Sequence, residues 1–285
     1  LEEFSFDTFQ IKKAKLTITE PYTKEYTVTG YGRCVNIAED GLKASFVYVE
    51  NGDDISLTQI RGKIVMVNDP VRKDMYQKLV KAGAVGFISI AGSPLDEGVD
   101  PGVSIHYKDA IELVTKGASQ ACLVVEQETV TRTSRNVVAR IEGTDKTEEI
   151  LTLTAHYDSV PEGPGAYDNM SGGAIIMELC RYFQTHRPRR TMEFVWFGAE
   201  EKGLLGSQSY VKVHEAELSA HRFNMNVDLA GQLVGGTVVG VTGDASICNM
   251  ITYMAHEIGI GMSTKNQIWG SDSNTFAWKG IPAMT

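Results

Sequence analysis

A chain of 285 residues, 42% hydrophobic and 22% charged, is long enough to bury one large core or two ordinary ones. Its net charge of −9 argues against nucleic acid as a partner, because phosphate contacts need clustered Lys and Arg. No apolar run approaches the roughly 20 residues that span a bilayer, so no transmembrane segment is expected.

In chain order, residues 1–34 alternate apolar and polar side chains (AKLTITEPYTKEYTVTGYG) and read as strands joined by turns. Residues 35–130 read as a small α/β unit. Its elements are the strand GKIVMVND, the helix RKDMYQKLVKAG ended by Gly83, the strand AVGFISI, the helix YKDAIELVTKG ended by Gly117, and the strand ACLVVEQET. Nothing in it gathers metal-ligand residue types, and His106 stands alone before a helix, a structural position.

From 131 onward the strands are longer and end on charge. NVVARIEG and EEILTLTAHYDS, joined by TDKT, predict a hairpin. A helix follows over Gly173–Gln184, then the strand TMEFVWF, a helix near Leu204–Val213 and the strand RFNMNVDLAG. LVGGTVVGVTG, the helix SICNMITYMAHEIGI and the closing run NTFAWKGIPAMT complete the chain. The alternation predicts an α/β fold with a mixed, mostly parallel sheet between helices, and ligands at the carboxyl ends of the strands. The basic cluster HRPRR at 186–190 reads as a solvated turn. Cys34, Cys122, Cys180 and Cys248 form no C-x-x-C pair and read as reduced thiols. The chain opens at Leu1 without a cationic, apolar leader, so cytoplasm and secretion both stay open.

Charge gathers at those strand ends. TLTAHYD ends on His156 and Asp158, two apart and pointing the same way; GAYDNMSGG carries Asp168; WFGAEE ends on Glu200 and Glu201; NVDLAG carries Asp228. Taken singly, Asp168 reads as a helix N-cap, and the glutamates as acidic residues of a helix's first turn. Together, one His and five carboxylates in one crevice would repel strongly unless cations neutralised them. Nitrogen with carboxylate oxygens suits zinc, with manganese or cobalt also fitting, and Asp168 has the two oxygens needed to bridge a metal pair.

AHYDS, GAYDNMSG, FGAEEKGLLGS and NVDLAG, in this order, resemble the zinc-dependent aminopeptidase family related to glutamate carboxypeptidase and the transferrin receptor, metallopeptidase family twenty-eight. The resemblance covers 131–285, read as the catalytic domain. Residues 35–130 resemble, through LTQIRGKIVMVND and KLVKAGAVGFI, the protease-associated (PA) domain inserted in many members. That domain is expected to shape access without supplying ligands.

The resemblance implies two zinc ions held by His156, Asp168 (bridging), Glu201 and Asp228. It implies Asp158 as the carboxylate orienting His156, a cis peptide at Asp168–Asn169, and Glu200 as the general base for a zinc-bound hydroxide that removes N-terminal residues from a peptide substrate. The family's remaining ligand, a His after the strand that GIPAMT resembles, has no counterpart up to Thr285; His256 is a poor substitute. The expectation is a His further along the natural chain, the alternative a truncated, metal-poor form. Two other readings stay open. One is a glutamate-carboxypeptidase-like enzyme, which needs arginines near the strand ends. The other is a non-catalytic receptor on the same fold. AHEIG at 255–259 fails as H-E-x-x-H because Ile260 stands where the second His belongs.

Overall fold

The alternating side chains of residues 1–34 form strands joined by turns, as expected, and open with the long strand β1 (Glu2–Glu20). The computed structural model describes residues 1–68, 71–90, 100–160, 163–232, 234–267 and 269–285. They fall into two units, Asp7–Thr131 and Leu1–Phe6 with Arg132–Thr285.

In the first unit, β1 is followed by β2 (Lys24–Tyr26), β3 (Val28–Gly30), β4 (Ile37–Tyr48), β5 (Ile64–Val67), α1 (Lys73–Ala82), β6 (Gly86–Ile90), β7 (Gly102–Ile105), α2 (Tyr107–Thr115) and β8 (Gln120–Ile141). Strands β4, β5, β6 and β7 run parallel as successive neighbours, with β3 antiparallel to β7 and the start of β8 antiparallel to β4. All four residues of β5 are buried, as the unbroken run IVMV requires of a strand covered on both faces. Gly83 ends α1 at φ 91°, a left-handed cap that glycine adopts without a Cβ penalty. His106 is structural: its Nδ1 accepts the Lys108 N–H at the start of α2.

The second unit continues with β9 (Lys146–His156), α3 (Met170–Thr185), β10 (Arg190–Phe197), α4 (Leu205–Val213), β11 (His221–Asn226), β12 (Thr237–Gly240), α5 (Ala245–Glu257), β13 (Met262–Lys265), α6 (Ser273–Ala277) and β14 (Ala283–Met284). Its main sheet has the order β14–β11–β9–β10–β8; the first four are parallel and the end of β8 is antiparallel to β10. The expected β8–β9 hairpin does not form, because β10 lies between the two strands. The TDKT turn instead meets the segment entering β10: Thr144 N–H donates to the Pro188 carbonyl, and Asp145 and Lys146 N–H to that of Arg189. Gly143 permits this approach, since a Cβ there would sit 2.5 Å from the Arg189 carbonyl oxygen. An apolar strand such as β9 is better buried inside the sheet than at a hairpin edge.

Two apolar clusters pack the sheet. Ile176 and Cys180 of α3 meet Leu153, Ala155 and Phe194, whereas Tyr210 and Val211 of α4 meet Val195, Phe197 and Phe276. Strands β12 and β13 form a separate parallel pair; the sequence reading missed β13, whose residues MSTK offer no apolar run. All four cysteines are free thiols. Among the described residues no helix is long and apolar enough to cross a membrane.

Candidate metal centre

His156 is the last residue of β9 and is almost wholly buried, at 1% exposure. Its Nδ1 lies 3.0 Å from the Asp158 carbonyl oxygen, a contact that turns Nε2 toward the carboxylates. Around Nε2 stand Asp168 Oδ1 at 3.1 Å, Asp228 Oδ1 at 3.4 Å and Glu200 Oε2 at 4.0 Å. Among the described residues, His156, Glu200 and Asp228 form the group of donors close enough to hold one ion, with ligand atoms within 4.8 Å of one another.

The four loops that deliver these residues are built differently. Asp158 lies two residues past β9, and its carboxylate accepts the N–H of Glu200 at 3.0 Å and of Glu201 at 3.2 Å. Its nearer oxygen stays 3.7 Å from His156 Nδ1. The side chain of Asp158 therefore braces the glutamate turn, and its backbone carbonyl serves the histidine. Asp168 does not cap α3. Asn169 does: its Oδ1 accepts the Gly172 N–H while its Nδ2 donates to the Val227 carbonyl. The Asp168–Asn169 peptide is cis.

The glutamate pair occupies a turn entered through Ala199 at φ 59°, a left-handed conformation that alanine rarely adopts. Helix α4 starts only at Leu205 and has no acidic residue in its first turn, so neither glutamate serves as a helix-dipole partner. Asp228 follows β11, and its Oδ2 accepts the Ser271 hydroxyl at 2.7 Å.

Electrostatics in this crevice favour positive charge among the carboxylates. Burial and the charge of Asp272 push Glu200 up to about 8. Burial and Asp168 raise Glu201 above the usual carboxylate range. Burial works against a charged His156, yet the nearby carboxylates of Asp158, Asp228 and Glu200 carry it up to about 11. Burial opposes ionisation of Asp228 too, but His156 and Ser271 keep it below the usual carboxylate value. Buried oxygens of Glu201 (Oε1) and Asp228 (Oδ1) have no hydrogen-bond partner, at a cost a cation would remove. The donor set and these orphaned atoms fit a zinc-type ion.

Sequence reasoning missed Asp272. It is fully buried, neither of its carboxylate oxygens has a partner, and burial lifts it to about 7. The run GSDSN places it in a Gly/Ser-rich stretch before a short helix, the same pattern that marked Asp168.

The sequence profile described as Peptidase family M28 matches residues 136–285. Aminopeptidase YwaD of Bacillus subtilis (strain 168) is 41% identical over 102 residues, covering 35% of this chain and 22% of that protein. Carboxypeptidase Q of Mus musculus is 27% identical over an alignment covering 100% of this chain and 67% of that protein. The chain thus spans about two thirds or less of the length of these curated relatives. Among solved structures, BSAP, a zinc aminopeptidase from Bacillus subtilis, superposes with a TM-score of 0.81 at 24% identity, covering 99% of this chain and 73% of that one. That likeness shows a shared fold.

Proposed function

Because the chain belongs to peptidase family M28, we propose that it is a zinc-dependent aminopeptidase. The observation carrying this reading is the crowding of Asp168, Asp228 and Glu200 within 4.0 Å of one buried imidazole nitrogen, with unpartnered carboxylate oxygens beside it. His156, Asp168, Glu201 and Asp228 would hold two zinc ions, with Asp168 shared between them. Bound zinc would lower the pKa of a water ligand and polarise the scissile carbonyl.

Glu200 is the general base in this reading. Of the three carboxylates near His156 Nε2 it stands furthest back, at 4.0 Å, and its burial favours a group that accepts and returns a proton. It takes the proton of the attacking water and returns it to the leaving amine. Asp158, braced against both glutamate N–H groups, fixes where that base stands. Asp168, whose side chain is half exposed, offers negative charge at the rim to a substrate's α-ammonium.

A carboxypeptidase is the second reading, favoured by the carboxypeptidase Q alignment over the whole chain. It would need cationic groups for a substrate carboxylate. The arginines of HRPRR do not serve: Arg189 pairs with Asp145 and Arg190 with Glu149, at the opposite ends of β9 and β10 from His156 and Glu200. The test is hydrolysis of aminoacyl reporters with free amines beside N-blocked peptides. Cleavage confined to free amines is expected; release of C-terminal residues from N-blocked peptides would overturn the aminopeptidase reading.

A further inference from the structure

Beneath Asp228 runs a chain of buried polar side chains in which every proton has a forced direction. On β9, Thr152, Thr154 and His156 share one face; on the neighbouring β11, Asn224 and Asn226 share the face that continues to Asp228. Asn224 Nδ2 donates to Thr154 Oγ at 3.2 Å, and Thr154 donates to Asn226 Oδ1 at 2.8 Å. Asn226 Nδ2 then donates to Ser271 Oγ at 2.7 Å, and Ser271 donates to Asp228 Oδ2 at 2.7 Å. All four donors are at most 4% exposed. The direction follows from the groups. A carboxylate only accepts, so Ser271 must spend its one proton on Asp228 Oδ2 and accept from the Asn226 NH₂. That turns the Asn226 carbonyl oxygen toward Thr154, whose proton it accepts.

We propose that Asn226, acting through Ser271, is a positioning residue that commits Asp228 Oδ2 to a hydrogen bond and leaves Oδ1 as its single metal-donor atom. Resting on the metallopeptidase reading, this assigns a task to polar residues inside a sheet that an apolar pair would otherwise fill at lower desolvation cost. The unpartnered Oδ1 of Asp228, 3.4 Å from His156 Nε2, is the atom so reserved.

The experiment titrates zinc ion alone into metal-stripped protein against a competing chelator, with thermal unfolding of each metal-free variant alongside. Ser271→Ala should weaken zinc binding by roughly 10–100-fold, the usual effect of removing a partner behind a ligand. Ser271→Thr should restore it. Asn226→Leu should weaken binding in the same direction, and Asn226→Leu with Ser271→Ala should bind no worse than Ser271→Ala alone. Additive losses, or unchanged affinity in a folded Ser271→Ala protein, would overturn the proposal. If Asn226→Leu fails to fold, the Ser271→Ala and Ser271→Thr pair still decides. A parent protein that binds no zinc would sink the metallopeptidase reading instead, so the two failures are distinguishable.

Discussion

The carboxylate of Asp158 accepts the backbone N–H of Glu200 at 3.0 Å, so a side chain two residues past β9 dictates where the turn after β10 stands. Its other oxygen takes the Glu201 N–H at 3.2 Å. Asp158→Asn keeps the shape but offers one acceptor oxygen where there were two. Zinc affinity should fall by roughly 10-fold or more, and peptidase rate with it. Chelator competition and steady-state kinetics on the same preparation check this; an unchanged zinc affinity would show that the turn holds without the brace.

Glu200→Gln removes the proton acceptor while preserving bulk. The expected loss is on the order of 10²–10⁴ in rate with zinc content unchanged. Elemental analysis beside the rate assay separates this from ligand loss: a variant that loses metal as well would make Glu200 a ligand.

The raised groups set a pH dependence for metal-free protein. Glu200 rises from 4.5 to about 8 and Asp272 from 3.8 to about 7, each with burial as the main cause. A group raised on folding binds its proton more tightly in the folded state. Its contribution is fully present below the unfolded value and is lost as pH climbs through the folded one. Stability from these two groups should therefore fall between about pH 3.8 and 8. His156, raised to about 11, has the same sign and gives way only at higher pH. His221, lowered by burial to about 4, opposes them below about pH 6.5. Asp272→Asn isolates one component: its gain in unfolding temperature over the parent should be larger at pH 8 than at pH 5. An equal gain at both pH values would refute the buried-charge account of Asp272.

Gly172 opens α3 where there is no room for a side chain. A Cβ there would lie 2.3 Å from the Val227 carbonyl oxygen and 2.5 Å from Asn169 Oδ1. Gly172→Ala should destabilise the protein by roughly 1–3 kcal/mol. It should also weaken zinc binding, because the displaced contacts join the Asp168 loop to the residue before Asp228. Denaturant unfolding and zinc titration measure the two effects.

Much of the site was legible because β9, β10 and β11 each lead from an apolar or alternating run into charge at the carboxyl end. His156, Glu200 and Asp228 each stand at such a switch, and the structure brings them within 4.8 Å. Asp272 follows no strand, so the same signal was silent, although the fold buries it as deeply as His156. Strand partners were less legible than strands. TDKT has hairpin chemistry, but a turn records only local preference, and β9 gains more from two interior neighbours than from the strand before it. The alternating TLTAH and NMNVD were visible as strands; that their polar face is buried as well depends on pairing Thr154 with Asn226 across 72 residues, which periodicity does not reveal.

The insertion of β10 between β8 and β9 also bears on how the chain is made. When the ribosome releases β9, neither of its final neighbours exists: β10 begins at Arg190 and β11 at His221. The antiparallel partner of the end of β8 is likewise β10. A nascent chain stopped before residue 190 thus carries β9 with both edges open and no local hairpin to close them. Pairing across such separations must first meet the entropy of closing long loops, so this sheet assembles late and slowly. Until then the apolar face of β9 is the segment of the second unit most in need of a chaperone.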